Sequence, residues 1–151
     1  MLIFSGFMML VYLLALAKIG WLWRNVEPIT IEEPTFPDET LISILIPVRN
    51  EADHIGQLID AIIGNDFPLI GYEIIVINDH STDGTHEVVH QKMAEHPELN
   101  LRFIENKKTG KKQALTAGVE HSVGQLMICT DGDSLVPEEW IKSHYSAFVQ
   151  G

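Results

Sequence analysis

The sequence has little cysteine and few basic residues. Cys129 is the only cysteine among 151 residues, which excludes an intramolecular disulfide and a cysteine-rich zinc site, so any metal must be held by carboxylates or histidines. The 10 lysines and arginines are outnumbered by 21 aspartates and glutamates, giving a formal net charge of −11. This balance argues against general binding of nucleic acid, which requires a basic face to neutralise phosphates. It does not exclude one nucleotide held through a divalent cation.

Low-complexity tracts are also missing. With 46% hydrophobic and 21% charged residues, the composition is typical of a globular protein and excludes a disordered acidic tail or a fibrous protein. A chain of 151 residues can bury one core, and is too short for two comfortable domains.

Acidic residues are absent before Glu27, and Lys18 is the only charged residue before Arg24. As a helix this stretch would be about 34 Å long, which matches a tilted crossing of a bilayer core of about 30 Å. We therefore predict a transmembrane helix at residues 1–24. The two basic residues near its C-terminal end predict a single-pass anchor in the cell membrane, with the rest of the chain in the cytoplasm.

Two other interpretations of the N-terminal stretch stay open. Residues Ala15–Ala17 resemble the small-residue cleavage site of a signal peptide, although the basic segment that normally precedes such a site is missing. A helix buried in a protein core is the second alternative. Residues 25–40 contain three prolines among acidic residues, which predicts an extended linker. Residues 41–151 then form the folded domain.

Short apolar runs alternate with helical periodicity from Leu41 onward. The pattern predicts strands at 41–48, 73–78, 99–104 and 125–130, and helices after Asn50, around 85–95, at 111–121 and from Pro137. Asn50 is the expected N-cap of the first of these helices, and Pro137 the expected first residue of the last. Strands that alternate with helices predict an α/β fold with a mainly parallel sheet, in which ligands bind at the carboxyl ends of the strands.

Acidic and basic residues collect in the loops that follow these strands. Asp131 and Asp133 lie two residues apart after the fourth strand, where both can approach one divalent ion. Nearby lysines can meet the oxygens of a diphosphate. Hard oxygen ligands suit Mg²⁺ or Mn²⁺, which would stabilise the negative charge that develops on a departing nucleoside diphosphate.

Four segments carry a resemblance to a known family: IPVRNE, VINDHSTDGT, GKKQAL and TDGDSLVPEEW. In this order they resemble the donor-binding half of a family 2 glycosyltransferase with the Rossmann-like GT-A fold, from about Ile42 to Trp140. With an N-terminal span, the chain is similar to membrane-bound polysaccharide synthases of the poly-N-acetylglucosamine or cellulose type. The resemblance implies inverting transfer of a sugar from a nucleotide-sugar donor, with a UDP-sugar favoured, to a glycan or lipid-linked acceptor in polysaccharide biosynthesis.

The same resemblance implies roles for individual residues. Asp79 would contact the base, Lys111 would approach the nucleotide, and the second aspartate of the DxD motif would hold Mg²⁺ or Mn²⁺ on the diphosphate. The implied donor-nucleotide residues are Pro47, Asn50, Glu51, Asp79, Ser81, Lys111 and Asp131, and the implied metal ligands are Asp133 and Asp131. In the family the general base lies on a later segment. We therefore expect a C-terminally truncated domain, with the base beyond Gly151, that binds donor without completing transfer.

Competing interpretations remain for several motifs. His86, Glu87 and His90 form an HExxH pattern on a predicted helix, which can bind zinc in a metalloprotease; Glu120 and His121 are the downstream candidates for a third ligand. Taken alone, the DxD motif could be an ordinary turn, and the lysines after the third strand a solvated loop. A non-catalytic nucleotide-binding module is another alternative. A nucleotidyltransferase would usually carry a glycine-rich loop directly after the first strand, which this sequence lacks.

Overall fold

The computed structural model describes residues 2–25 and 41–150. The chain divides into two compact units, residues 1–30 and 31–151. In the first unit, α1 extends over Leu2–Arg24. The predicted linker at residues 25–40 lies, apart from Asn25, outside the described residues.

In the second unit, strands and helices alternate along the chain. The strands are β1 (Ile42–Val48), β2 (Tyr72–Asn78), β3 (Leu101–Glu105) and β4 (Leu126–Cys129). The α-helices are α2 (Ile55–Ile63), α3 (Thr85–Glu95), α4 (Lys111–His121) and α5 (Trp140–Gln150). A short 3₁₀ turn, Leu69–Gly71, precedes β2.

The four strands form one parallel sheet in the order β3-β2-β1-β4. β1 lies inside the sheet, and its residue Ile44 pairs with Ile74 of β2 and with Ile128 of β4. Five successive residues of β1 are fully buried, as expected of a strand covered on both faces. The predicted α/β fold with a parallel sheet and flanking helices is confirmed.

Alternate residues of β1 pack into two separate clusters of buried side chains. Ile44 and Ile46 belong to the larger cluster, which includes residues of α2, α3 and α5. Leu45 belongs to the smaller cluster, with Ile75 and Ile77 of β2 and Ala114 of α4. This alternation is the period-2 geometry of a strand. It gives the sheet a helical layer on each face and fixes the loops at its carboxyl edge.

The prediction of a transmembrane helix at residues 1–24 is wrong. Among the residues that the structure describes, no helix is both long enough and apolar enough to cross a bilayer. A crossing requires roughly 20 consecutive and predominantly apolar residues, and the charged Lys18 lies inside α1. The same finding overturns the predicted single-pass anchor and the localisation at the cell membrane that was derived from it.

Two helices begin later than the sequence predicts. α2 begins at Ile55 rather than next to Asn50, because the Asn50 side chain accepts a hydrogen bond from the Thr82 amide instead of capping the helix. α5 begins at Trp140 rather than at Pro137. There the side chain of Asn65, a distant residue, donates to the Pro137 carbonyl and accepts from the Ile141 amide. Both changes arise from tertiary hydrogen bonds that helix patterns do not reveal.

Candidate functional site

A cleft of about 410 Å³ lies at the carboxyl edge of the sheet. It is lined by Pro47, Val48, Arg49, Glu51, Asp79, Gly110, Lys111, Asp131, Gly132 and Asp133. The loops after all four strands contribute to it, because the carboxyl ends of parallel strands meet at one edge. Of the residues predicted for the site, all except Asn50 and Ser81 line this cleft.

Asp79 is the most enclosed carboxylate of the cleft, with 5% of its surface exposed. Its Oδ1 accepts hydrogen bonds from the Asn106 side chain at 2.9 Å and from the Gly110 amide at 3.0 Å, and lies 3.3 Å from His80 Nδ1. Burial by itself raises the pKa of Asp79, but the hydrogen bonds from Gly110, Asn106 and His80 outweigh burial and lower the pKa. Asp79 is therefore a carboxylate at neutral pH, and a carboxylate only accepts hydrogen bonds.

The loop from β3 to α4, residues 106–110, wraps around Asp79. Asn106 is buried, and its backbone amide donates to the Asn78 carbonyl at 2.9 Å. Gly110 has a φ of 113°, a conformation that favours glycine, and its amide reaches both carboxylate oxygens of Asp79. Asn106 and Gly110 were not predicted as site residues, although Gly110 is the first residue of the GKKQAL segment. The only available signal was their position after a predicted strand, in front of the lysines of GKKQAL.

Asn50 and Ser81 connect the loops after β1 and β2. The Asn50 amide donates to Ser81 Oγ at 3.0 Å, and the Thr82 amide donates to Asn50 Oδ1 at 2.8 Å. Asn50 has a φ of 58°, in the left-handed region that asparagine tolerates better than most residues. These two residues therefore hold the edge of the cleft together rather than lining it.

Glu51 is supported by a second set of contacts between the same loops. Its amide donates to Thr85 Oγ1 at 2.9 Å, and Thr85 Oγ1 in turn donates to Asp83 Oδ1. The Ala52 amide donates to Asp83 Oδ2 at 3.1 Å. The hydrogen bond from the Thr85 side chain is the largest influence on Asp83 and lowers the pKa of that carboxyl. Asp83 and Thr85, which the sequence analysis did not assign to the site, position Glu51 at the cleft.

Asp131 and Asp133 lie on the loop that follows β4 and line the cleft with exposed side chains. Lys111 Nζ forms an ion pair with Asp131 Oδ1 at 2.5 Å. Gly132 allows this loop to pack closely against β1: a Cβ at this position would lie 2.9 Å from Val48 Cγ1 and 3.0 Å from Glu51 Cγ. A larger residue would push these cleft-lining side chains aside.

The chemistry of this pair of aspartates fits Mg²⁺ or Mn²⁺, which prefer hard oxygen ligands. Within the described part of the chain, no group of three or more histidine, cysteine, aspartate or glutamate residues is arranged to hold a metal ion. Two carboxylates can nevertheless suffice for Mg²⁺, because substrate phosphates and water usually complete its shell.

The HExxH motif lies on α3, away from the cleft. The His86 and His90 rings pack against each other with centroids 4.2 Å apart, and against Phe103 at 5.2 and 5.4 Å. Because no three-ligand metal group occurs among the described residues, the motif lacks the third ligand of a zinc protease. The structure does not favour the metalloprotease alternative.

The known proteins whose sequences match this chain are glycosyltransferases. The family described as glycosyl transferase family 2 matches residues 43–151. Glycosyltransferase AglE of Haloferax volcanii is 32% identical over 101 residues, which cover 67% of this chain and 33% of AglE. The undecaprenyl-phosphate 4-deoxy-4-formamido-L-arabinose transferase of Aeromonas hydrophila is 32% identical over 115 residues, 76% of this chain and 35% of that enzyme. This chain spans about a third of the length of these relatives.

Solved structures give the same result for the fold. The mannosyltransferase PcManGT from Pyrobaculum calidifontis, in complex with GDP-Man and Mn²⁺, has a TM-score of 0.72 and 28% identity, covering 86% of this chain and 39% of its own. TarS of Staphylococcus aureus, in complex with UDP-GlcNAc, has a TM-score of 0.62 and 25% identity, covering 74% of this chain and 31% of its own. The predicted GT-A fold is supported. The expected closeness to cellulose or poly-N-acetylglucosamine synthases stays a prediction.

Proposed function

Because this chain belongs to glycosyl transferase family 2, we propose that its cleft binds a nucleotide-sugar donor, from which the sugar is transferred with inversion to an acceptor. The observation that carries the proposal is the meeting of Asp79, Lys111, Asp131 and Asp133 in one cleft. These residues supply an acceptor for a base, a cation for a diphosphate and two oxygen ligands for a metal. All three groups suit a nucleoside diphosphate.

Each residue has a distinct part in holding the donor. Asp79 accepts a hydrogen bond from the base, and Lys111 exchanges its ion pair with Asp131 for an oxygen of the diphosphate. Asp133 and Asp131 hold Mg²⁺ or Mn²⁺. When bound, such an ion supplies Lewis-acid stabilisation of the charge on the leaving diphosphate. The Asn50, Ser81 and Asp83 contacts keep Glu51 at the wall of the cleft and limit the reorganisation that binding requires. Pro47 is held there by the pairing of β1 with β2.

The donor we favour is a UDP-sugar, and the acceptor we favour is a glycan or a lipid-linked acceptor. Two relatives support a lipid-linked or a polymeric acceptor: one is an undecaprenyl-phosphate 4-deoxy-4-formamido-L-arabinose transferase, and TarS is a poly(ribitol-phosphate) β-N-acetylglucosaminyltransferase. TarS binds UDP-GlcNAc, whereas PcManGT binds GDP-Man. The similarity to these proteins supports a nucleotide-sugar donor without selecting its base.

Calorimetric titration of UDP and GDP into the 151-residue chain, with Mn²⁺ or with EDTA, tests the donor site. We expect one UDP per chain, bound at least about tenfold more tightly with Mn²⁺. Asp133→Ala should abolish the gain from Mn²⁺, because it removes a metal ligand. Asp79→Ala should weaken binding in both conditions, because it removes the acceptor for the base.

Asp53→Ala is the matched control, since Asp53 is an exposed carboxylate that does not line the cleft. It should bind UDP like the wild type. A folded wild-type chain that binds neither nucleotide would contradict the donor site. Metal-dependent binding that survives Asp133→Ala would contradict the metal assignment alone.

A further inference from the structure

We propose that Asn106 determines base specificity by occupying one oxygen of Asp79, so that Asp79 accepts a single hydrogen bond from the donor base. The inference rests on the proposed function, in which Asp79 contacts the base. It goes beyond that function by naming a buried residue outside the cleft lining that selects uracil over guanine.

Oδ1 of Asp79 is already fully used inside the protein. A carboxylate oxygen has two lone pairs. The Asn106 side chain donates to Oδ1 at 2.9 Å, and His80 Nδ1 lies 3.3 Å away. The single N–H of Gly110 is shared between Oδ1, at 3.0 Å, and Oδ2, at 2.9 Å. Since a carboxylate cannot donate, His80 contributes the tautomer with a proton on Nδ1. No lone pair of Oδ1 is left for a ligand.

Oδ2 of Asp79 differs from Oδ1. Among the described residues it accepts only from the Gly110 amide, at 2.9 Å. One lone pair of Oδ2 is therefore available, and Asp79 lines the cleft. The carboxylate thus presents one acceptor, not two, to a nucleotide.

The orientation of the Asn106 amide is set by its own contacts. Its Oδ1 accepts from the Lys108 amide at 3.2 Å. The amide nitrogen, which can only donate, therefore faces Asp79. Because Asn106 is buried and its backbone is tied to Asn78, the side chain cannot swing away at low cost.

A single ionised acceptor distinguishes the bases by their hydrogen-bond donors. Uracil offers one ring donor, N3–H. Guanine offers two adjacent donors, N1–H and N2–H. A carboxylate binds guanine most strongly when each of its two oxygens accepts from one of these donors. With Oδ1 occupied, guanine leaves one buried donor without a partner, which costs free energy. Cytosine and adenine place a ring acceptor next to their amino group, facing a carboxylate that is also an acceptor.

A ligand series tests the proposal on the unmodified chain, in Mn²⁺, by calorimetry. The ligands are UDP, N3-methyl-UDP, GDP and IDP, which lacks the guanine amino group. We expect N3-methyl-UDP to bind at least about tenfold more weakly than UDP, and GDP to bind within about twofold of IDP. GDP that binds more than about tenfold tighter than IDP, or tighter than UDP, would overturn the proposal while leaving the donor site intact. Failure of all four ligands to bind would overturn the proposed function itself.

Asn106→Ala supplies the complementary test, because it removes the donor to Oδ1 and leaves space beside it. GDP should then gain over IDP by about threefold or more, while UDP loses affinity. An equal loss for UDP, GDP and IDP would mean that Asn106 only supports the loop, and would overturn the proposal. If Asn106→Ala does not fold, as judged by circular dichroism, the ligand series on the wild-type chain decides alone.

Discussion

Tyr72 is a single residue whose ionisation reports on the packing of the core. It is 2% exposed, and burial raises its pKa from 10.0 to about 12. The raised pKa means that the folded chain keeps the phenol proton after the unfolded chain has lost it. Stability from this source is fully present below pH 10 and is lost as the pH rises towards 12.

We therefore expect the free energy of unfolding to fall between pH 10 and pH 12, with Tyr72 contributing about 2 kcal/mol of that decrease. Tyr72→Phe should be slightly less stable at neutral pH, because it loses a 3.4 Å hydrogen bond to the Ile62 carbonyl. Its stability should depend less on pH in the alkaline range. Urea unfolding of both proteins at intervals of pH measures the difference, and parallel pH profiles would contradict the expectation.

Residues of the cleft could be predicted from the sequence where charged residues cluster directly after a predicted strand. Asp79, Lys111, Asp131 and Asp133 were predicted in this way, and the structure brings them together. Asn106 was missed because an asparagine in a lysine-rich loop carries no distinguishing pattern. Its contribution depends on a hydrogen bond to a residue on another loop.

The helices allow a comparison of their predicted bounds with those in the structure. The bounds of α3 and α4 agree with the sequence prediction, because their local periodicity and flanking glycines determine where they lie. The starts of α2 and α5 do not agree, because Thr82 and Asn65 bond to the residues that would otherwise cap or open these helices. Local patterns predict an element better than they predict its first turn, where tertiary hydrogen bonds compete.

At the amino edge of the sheet, Glu73 of β2 contacts β1, β3 and the loop that precedes β4. It is 1% exposed. Its Oε1 accepts from Ser43 Oγ at 2.6 Å and from the Val123 amide at 2.8 Å, and its Oε2 accepts from Arg102 at 3.2 Å. The Val123 contact fixes the segment that leads into β4, the strand before the DxD motif.

We expect Glu73→Gln to lower the free energy of unfolding by about 1 to 3 kcal/mol. The glutamine NH₂ group replaces one carboxylate oxygen, so a donor of the side chain then faces a donor of the protein. Chemical denaturation followed by circular dichroism measures the change. Glu120→Gln is the matched control, since Glu120 is exposed on α4, and it should unfold like the wild type. A Glu73→Gln chain as stable as the control would show that this network contributes little.

At the scale of the whole molecule, the cleft belongs to one of the two compact units. Every residue that lines the cleft lies within the second unit, residues 31–151. We therefore expect a chain without residues 1–30 to bind UDP within about twofold of the complete chain, as independent regions usually do. Calorimetry in Mn²⁺ measures both affinities. A loss of more than about tenfold in a folded shortened chain would mean that the first unit contributes to the site.

The alternation of strands and helices predicted that the strands are parallel. It did not predict the order of the strands in the sheet. The prediction of a membrane span from residues 1–24 was wrong, since a count of apolar residues in a sequence does not establish a span. Composition and motif order therefore predicted the α/β fold of the second unit better than the role of the first.

The interior position of β1 has a consequence for how the protein acquires its fold. Ile42 of β1 pairs with Leu126 of β4, so one side of β1 stays open until a much later part of the chain is available. Contacts this distant in sequence form slowly. We expect the loop after β4, which carries Asp131 and Asp133, to assemble later than the loops after β1 and β2. Nucleotide binding would then report that the sheet has finished folding. Until that point the edge of β1 would be accessible to chaperones, while the donor cleft would not yet exist.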